Sequence, residues 1–474
     1  MIPPLVGLLS RGQAATTTGW KAHADAVRRL QESYRALPAD APVRLAKRTS
    51  NLFRPREVLV GSGLDVSGLG GVIEVDAEAR TAEVQGMCTY EDLVDATLPH
   101  GLAPLVVPQL RTITLGGAVT GLGIESTSFR HGLPHESVLE MDVFTGAGEV
   151  VTCGPTGEHA DLFRAFPNSY GSLGYATRLR IELMPVTSHV ALRHVRFTGT
   201  DALQQAIAEV TDTGAWEGEA VDAMDGTSFE PGRHVLTLGR FVEADGPGSD
   251  YAGQQVYWRS VGERETDLLT TYDYLWRWDT DWFWCSQAFG AQHPVVRRIW
   301  PRRLRRSDSY HRLVGLDQRF DVMNRLDRRA GRPRRERVVQ DIEVPVERLG
   351  EFLDWFDEAV GMRPVWLCPL RLRDAEAGTD PWPTYPLEPA RTYVNVGFWG
   401  AVPVGDDAPD SPLNRAIEAK VAELDGHKSL YSESFYDRET FDRLYDGPHL
   451  AAVKQRYDPH DRLTSLYDKA VRRR

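Results

Sequence analysis

A chain of 474 residues exceeds the size at which one hydrophobic core stops growing, so two domains are the first expectation. Hydrophobic residues at 42% and charged residues at 26% describe a globular protein in water and exclude a disordered, collagenous or membrane-spanning chain. A net charge of -12 argues against nucleic acid as a partner.

The apolar run Leu5 to Leu9 is too short for a signal segment and no basic stretch precedes it, which predicts a cytoplasmic protein. Trp20, Ala24, Val27, Leu30 and Tyr34 recur at helical spacing and predict a terminal helix over 20–37. Short strands follow: VRLA at 43–46, then VIEVD and TAEVQGM, joined by the polar turn AEAR as a hairpin over 72–87. Thr89 with Asp92 three positions on reads as the cap of a helix reaching Leu98, before a strand over 102–108. A second hairpin is expected over 138–152, turning at Gly146-Ala147-Gly148. Beyond about 187 strands such as LRHVRF and HVLTLGRFV alternate with helices such as LQQAIAEV and RLGEFLDWFDEAV, which places a domain boundary near Pro185. PVGDDAPDSP, 403–412, reads as a surface loop before a helical tail. Cys88, Cys153, Cys285 and Cys368 stand singly, without a CxxC or zinc spacing, and read as buried thiols rather than disulfide or metal ligands.

Charge and aromatic residues concentrate in one region. Between Val295 and Arg337 there are 15 Arg and 5 Asp or Glu, a balance of +10 that leaves -22 for the rest of the chain. Just before it, the run from Tyr272 to Phe289 holds Trp276, Trp278, Trp282 and Trp284. Core packing explains part of this run. Together, the arm over 272–337 fits an entrance where indole meets an acyl chain and arginine meets phospholipid phosphate, a peripheral contact at the inner face of the cell membrane. The same arginines equally suit the phosphates of NADPH.

The most informative stretch is PQLRTITLGGAVTGLGIESTSFRHG, from Pro108 to Gly132. Gly116, Gly117, Gly121 and Gly123 fall within eight positions, beside Thr112, Thr114, Thr120, Ser126 and Ser128. Glycines at this density let backbone N–H groups approach an anion, and a pyrophosphate fits that description. The spacing is not the dinucleotide GxGxxG, because Ser126 stands where the third glycine belongs, and no GK[ST] follows to make a Walker loop.

This stretch resembles the diphosphate loop of flavin oxidoreductases of the vanillyl-alcohol oxidase and p-cresol methylhydroxylase (PCMH) type. VDAEARTAEVQGMCTYEDLVDATLPHGLAP and DLFRAFPNSYGSLGYATRLRIEL resemble two further segments of that family, the second being the one in which Gly171 and Gly174 lie against the flavin. The resemblance implies an α+β, two-domain PCMH-type FAD-binding fold with a mixed α/β substrate domain. It divides the chain into a helical segment at 1–38, an FAD-binding domain at 39–186, a substrate domain at 187–430, and a tail at 431–474 closing on the flavin site. The implied FAD contacts are Arg48, Thr49, Ser50, Asn51, Pro108, Thr114, Gly116, Gly117, Gly121, Gly123, Ile124, Ser126, Gly171, Leu173 and Gly174. The first loop reads AKRTSN where the family commonly has RGGGHS, so no histidine is available to bond the ring and FAD is expected to be noncovalent.

GIESTSFRHGLPHE, QDIEVPVERL, WLCPLRLR, YVNVGFWG and YSESFYDRETFDRLYDG resemble the delta-24 sterol reductase branch. RLAKRTSNLFR with TLGGAVTGLGIES is most similar to actinobacterial flavoproteins that reduce a 10-methylene fatty acyl group to 10-methyl, in the synthesis of 10-methylstearate (tuberculostearic acid). That resemblance implies NADPH or NADH as reductant, a phospholipid acyl chain as substrate, and a methyltransferase as the enzyme that installs the methylene and a candidate partner. Sterol side-chain reduction, alcohol or sugar oxidation, and a noncatalytic lipid-presenting role are the alternatives. An isolated alkene has no carbonyl to stabilise an incoming hydride, so the site needs a proton donor in an apolar pocket opposite the flavin. Glu125, inside the glycine loop, is the first candidate, with a loop-holding carboxylate as its other reading. Tyr436, Tyr393 and His131 follow. His131 and His135 read as surface residues that could titrate near neutral pH, and His135-Glu136 lacks the second histidine of a zinc helix.

Overall fold

The computed structural model describes residues 17–47, 54, 63–312, 331, 333–373, 381–405 and 407–472. Arg48, Thr49, Ser50 and Asn51 lie outside them. The amphipathic spacing that predicts a first helix produces one over Gly19–Arg35, whose Ala26 and Leu30 pack against Val43, Leu69, Phe144 and Leu463. The VRLA segment does not become a strand: it contributes one isolated bridge, Leu45 to Leu64.

Strands β1 (Val72–Asp76) and β2 (Thr81–Gln85) form the expected hairpin. Thr89 caps the helix Tyr90–Thr97, its hydroxyl accepting from the Asp92 N–H at 3.1 Å. Next come β3 (Leu102–Pro104), shorter than the apolar run suggested, β4 (Val138–Phe144), β5 (Val150–Cys153) and β6 (Tyr175–Pro185). They form one antiparallel sheet in the order β1-β2-β6-β4-β5, with β3 also on β6.

The chain then crosses to a second sheet within four residues of Pro185. After β7 (His189–Phe197) and a small hairpin of β8 (Ala215–Trp216) and β9 (Glu219–Ala220) come β10 (Ala223–Glu230), β11 (Arg233–Val242), β12 (Thr266–Thr270), β13 (Arg335–Pro345), β14 (Val365–Leu370), β15 (Tyr393–Pro403) and β16 (His427–Lys428). The order in this eight-stranded antiparallel sheet is β12-β7-β11-β10-β14-β15-β13-β16.

Alternation along these strands gives the second sheet two unlike faces. Val338, Ile342 and Val344 of β13, Val365 and Leu367 of β14, and Val394, Val396 and Phe398 of β15 share an apolar cluster with helices Thr200–Thr213, Leu349–Ala359 and Pro412–Glu423. The residues between them, Asp341, Trp366, Gly397 and Trp399, belong to the opposite face, toward the first sheet and its glycine loop. One face builds the core and the other builds a cavity.

His135 is buried, correcting the surface reading: its ring meets Trp382 edge-on at 4.5 Å. His131 is half-buried at the end of the short helix Ser128–His131. Desolvation holds the imidazoles of His135 and His427 at about 3 and that of His194 at about 4, below their ordinary 6.5. The unfolded chain takes up these protons near pH 6.5 while the folded chain resists. The stability they contribute is therefore complete above pH 6.5 and is lost as the pH falls toward 4 and then 3. Melting followed by circular dichroism should show a Tm that drops steeply across this range, and His135→Phe should flatten the drop.

Candidate active site

The glycine stretch folds as a tight strap. Thr114 caps the short helix Leu115–Thr120 by accepting from the Gly117 N–H at 3.2 Å, and Gly116 donates its N–H to the Gly86 carbonyl at 2.9 Å. Gly123 sits where a Cβ would lie 2.7 Å from Pro108 Cγ and 2.9 Å from Pro134 Cγ, so only glycine lets the strap close. Beside it lies a cavity of about 290 Å³. Of the residues expected to hold a cofactor, Pro108, Thr114, Gly117, Gly121, Gly123 and Ile124 line this cavity. Gly116 instead packs on backbone, and Ser126 bonds the Tyr274 hydroxyl at 2.7 Å. Gly171, Leu173 and Gly174 form the turn before β6: Gly171 accepts from Lys469 Nζ at 2.8 Å, and a Cβ at Gly174 would strike the Phe144 carbonyl. Their neighbour Tyr170 faces the cavity.

The strap is fastened to the second sheet. Met224 at the start of β10 donates its N–H to the Ser126 carbonyl at 2.6 Å. The Glu125 carboxyl accepts from Arg277 Nη2 at 2.7 Å, and the same nitrogen reaches Asp225 at 3.1 Å. All three side chains are buried. Asp225 also accepts the indole N–H groups of Trp278 at 2.8 Å and Trp366 at 3.1 Å, whereas Glu125 Oε2 has no hydrogen-bond partner. Burial pushes the Glu125 carboxyl up, and the Arg277 guanidinium opposes that rise.

The run expected as an entrance is instead an inner wall. Trp276, Trp278, Trp282 and Trp284 are all buried. Arg111 of the strap donates its N–H to Asp279 at 3.1 Å and lays its guanidinium 4.8 Å from the Trp276 ring, drawing the run across the cavity. Trp282 and Phe283 reach the cavity, where Phe283 packs on Trp399 at 4.4 Å and Trp366 at 5.4 Å. Lys47 and Arg54 stand among the lining residues on the other side. Arg54 donates to the Leu430 carbonyl at 2.9 Å and lies over Tyr170, whose hydroxyl accepts from the Leu430 N–H at 3.1 Å. Ser429 and Tyr431, flanking Leu430, line the cavity too.

A group that the sequence reading passed over is Asp341 of β13, inside the quoted motif QDIEV. Trp366, Gly397 and Asp341 form one row across β14, β15 and β13, and a Cβ at Gly397 would fall 2.4 Å from Asp341 Oδ1. Glycine at that place makes room for the carboxyl, which accepts from Asn395 Nδ2 at 3.3 Å and from the Tyr431 hydroxyl. Trp399 Nε1 donates in turn to Tyr431 at 2.9 Å. Burial among aromatic rings pushes Asp341 up to about 7, although Asn395 and Tyr431 pull it down. The usable signal was period-two alternation: in VVQDIEV the acids share the face opposite Val338, Ile342 and Val344. Tyr393 and Tyr436 lie elsewhere. The Tyr393 hydroxyl accepts from the Glu388 N–H at 3.1 Å, and Tyr436 packs beside Tyr445.

These residues fit a flavin dinucleotide. Side-chain-free glycine backbone and the cations Lys47 and Arg54 suit a diphosphate, and the aromatic far wall suits a ring system facing an apolar substrate. The family described as an FAD binding domain matches residues 23–154. The chain is similar to the Delta(24)-sterol reductase of Arabidopsis thaliana, 24% identical over 442 residues that cover 87% of this chain and 77% of the relative. It is likewise 24% identical to that of Homo sapiens over 412 residues, covering 84% and 75%. Over 149 residues it is 36% identical to cytokinin dehydrogenase 2 of Oryza sativa subsp. japonica, covering 30% and 26%. The chain is an FAD-dependent oxidoreductase with an α+β PCMH-type fold.

Arg277→Met removes the cation between two buried acids and should lower the unfolding free energy by about 3–5 kcal/mol in denaturant titrations. Glu125→Gln keeps shape and a hydrogen-bonding group and should cost about 1–3 kcal/mol.

Proposed function

We propose that this oxidoreductase reduces an isolated carbon–carbon double bond in a lipid, the 10-methylene group of a phospholipid acyl chain, with NADPH or NADH as electron donor. The observation that carries this reading is Asp341, a carboxyl poised to hold a proton near neutral pH on an aromatic-lined cavity beside the glycine strap. An alkene without a carbonyl needs an acid as well as a hydride, and an alcohol oxidase needs a base instead.

The strap with Lys47 and Arg54 would hold FAD, which once reduced by NADPH or NADH would supply the hydride. Asp341 protonates the less substituted alkene carbon, and the tertiary cation so formed accepts the hydride. Trp282, Phe283, Trp366 and Trp399 exclude water, which would otherwise capture that cation. Asn395 and Tyr431 fix the carboxyl's direction. The substrate's methylene carbon requires an earlier methyl transfer to an olefinic chain, which makes a methyltransferase the enzyme acting before this one. Reduction of a sterol side chain is the second reading, favoured by the names of the relatives and served by the same acid and the same apolar walls.

Under anaerobic conditions NADPH should bleach the flavin, and a methylene-bearing phospholipid should restore its colour with a product two mass units heavier than the substrate. Restoration by a sterol alkene alone would favour the second reading. Because Asp341 must be protonated to act, kcat/KM should fall about tenfold per pH unit above about 7. Asp341→Asn should lower kcat by roughly 10²–10⁴ while leaving bleaching by NADPH intact. If that variant keeps full turnover and Glu125→Gln loses it, the proton comes from Glu125.

A further inference from the structure

The arginines of the basic segment divide into two populations. Arg297 is 1% exposed and bonds Asp281 at 2.7 Å and the carbonyls of Tyr251, Gly253 and Gln255 at 2.7–2.9 Å. Arg305, also buried, donates to the carbonyls of Ala252 and Trp300 at 2.5 and 2.9 Å. Arg306 grips both oxygens of Glu91 at 2.7 Å. These three hold the segment to the protein and are not available to a ligand.

What they leave outside is both apolar and cationic. Val295 is 65% exposed, Ile299 77% and Leu304 37%, so three of the five exposed large apolar side chains among the described residues fall within ten positions. Val295 and Ile299 share one face of the helix Pro294–Ile299 at i, i+4. Arg298 and Arg303, both exposed, have no carboxylate partner among the described residues, and Arg302 pairs only with the exposed Asp250. Seven residues after Leu304, His311 lines the cavity against Trp282.

We infer that Val295, Ile299 and Leu304, with Arg298 and Arg303, form a docking surface for a bilayer bearing anionic phospholipid headgroups. A soluble phosphate would need the arginines but leave the apolar side chains in water, whereas a membrane surface accepts both: the aliphatic groups enter the acyl boundary and the guanidinium groups meet phosphate. Charge complementarity fixes the orientation, because the sequence outside 295–337 carries -22 and an anionic surface repels it. The surface lies on the segment that contributes His311 to the cavity wall, so docking brings acyl chains to the cavity. This deepens the lipid reading given above, but vesicle binding is measured without turnover and stands or falls apart from it.

Holoenzyme should float with phosphatidylglycerol vesicles and not with phosphatidylcholine vesicles. Val295→Ser/Ile299→Ser/Leu304→Ser and Arg298→Glu/Arg303→Glu should each lower the vesicle-bound fraction roughly tenfold or more, with flavin colour and Tm unchanged. Failure of wild-type protein to float, equal binding to neutral vesicles, or variants floating like wild type would each overturn the assignment. So would a wild-type dimer in sedimentation that the triple variant dissolves, or an NADPH KM raised by the charge reversals with vesicle binding intact.

Discussion

One guanidinium between two buried acids fastens the two halves of this enzyme. Arg277 belongs to the aromatic run, Glu125 to the glycine strap beside the first sheet and Asp225 to the inner face of the second sheet. Taking a guanidinium and two carboxyl groups out of water is costly, and the cost is offset only while all three remain together with the indole N–H groups of Trp278 and Trp366. The geometry is therefore stringent. With this cluster in place, the strap and Trp282, Phe283, Trp366 and Trp399 line one cavity.

The second sheet shows how a single period of two divides structure from chemistry. Along β13, Val338, Ile342 and Val344 bury themselves under helices, which fixes the register of the strand. The residues between them must then face the other way, and there Asp341 meets the cavity and Glu343 meets the Tyr385 hydroxyl. A one-residue slip would carry both acids into the helix-covered core. Gly397 completes the arrangement by leaving the volume that the carboxyl occupies. A carboxyl pushed up to about 7 by burial is thus a by-product of ordinary core packing on the reverse side of the same strand.

The basic segment carries a similar lesson about residue type. Arginines that look equivalent along RRIWPRRLRR serve opposite ends, because a guanidinium has five donors and can satisfy several backbone carbonyls at once. Arg297 and Arg305 do this inside the protein, bracing irregular backbone that has no sheet or helix to bond it. Their neighbours are pushed outward by the same turns, beside aliphatic side chains that stay exposed among the described residues.

Much of this was legible in the chain itself. Hydrophobic periodicity located the first helix, both hairpins of the first sheet and long helices that cover the second sheet, because those signals are local and repeat every two or three to four residues. Glycine density identified the strap, and the family resemblance gave half of the strap residues that line the cavity, among them Pro108 and Ile124. Tertiary structure decided the rest. Whether Trp282 faces lipid or core, whether Arg305 is free or bonded, and whether Asp341 or Glu125 borders the cavity depend on contacts between residues far beyond one turn or hairpin of each other, from tens of positions to 152 between Glu125 and Arg277. Desolvation, which raises the carboxyls of Asp341 and Glu125 and lowers the imidazoles of His135, His194 and His427, is a property of the enclosing side chains and has no local trace in the sequence.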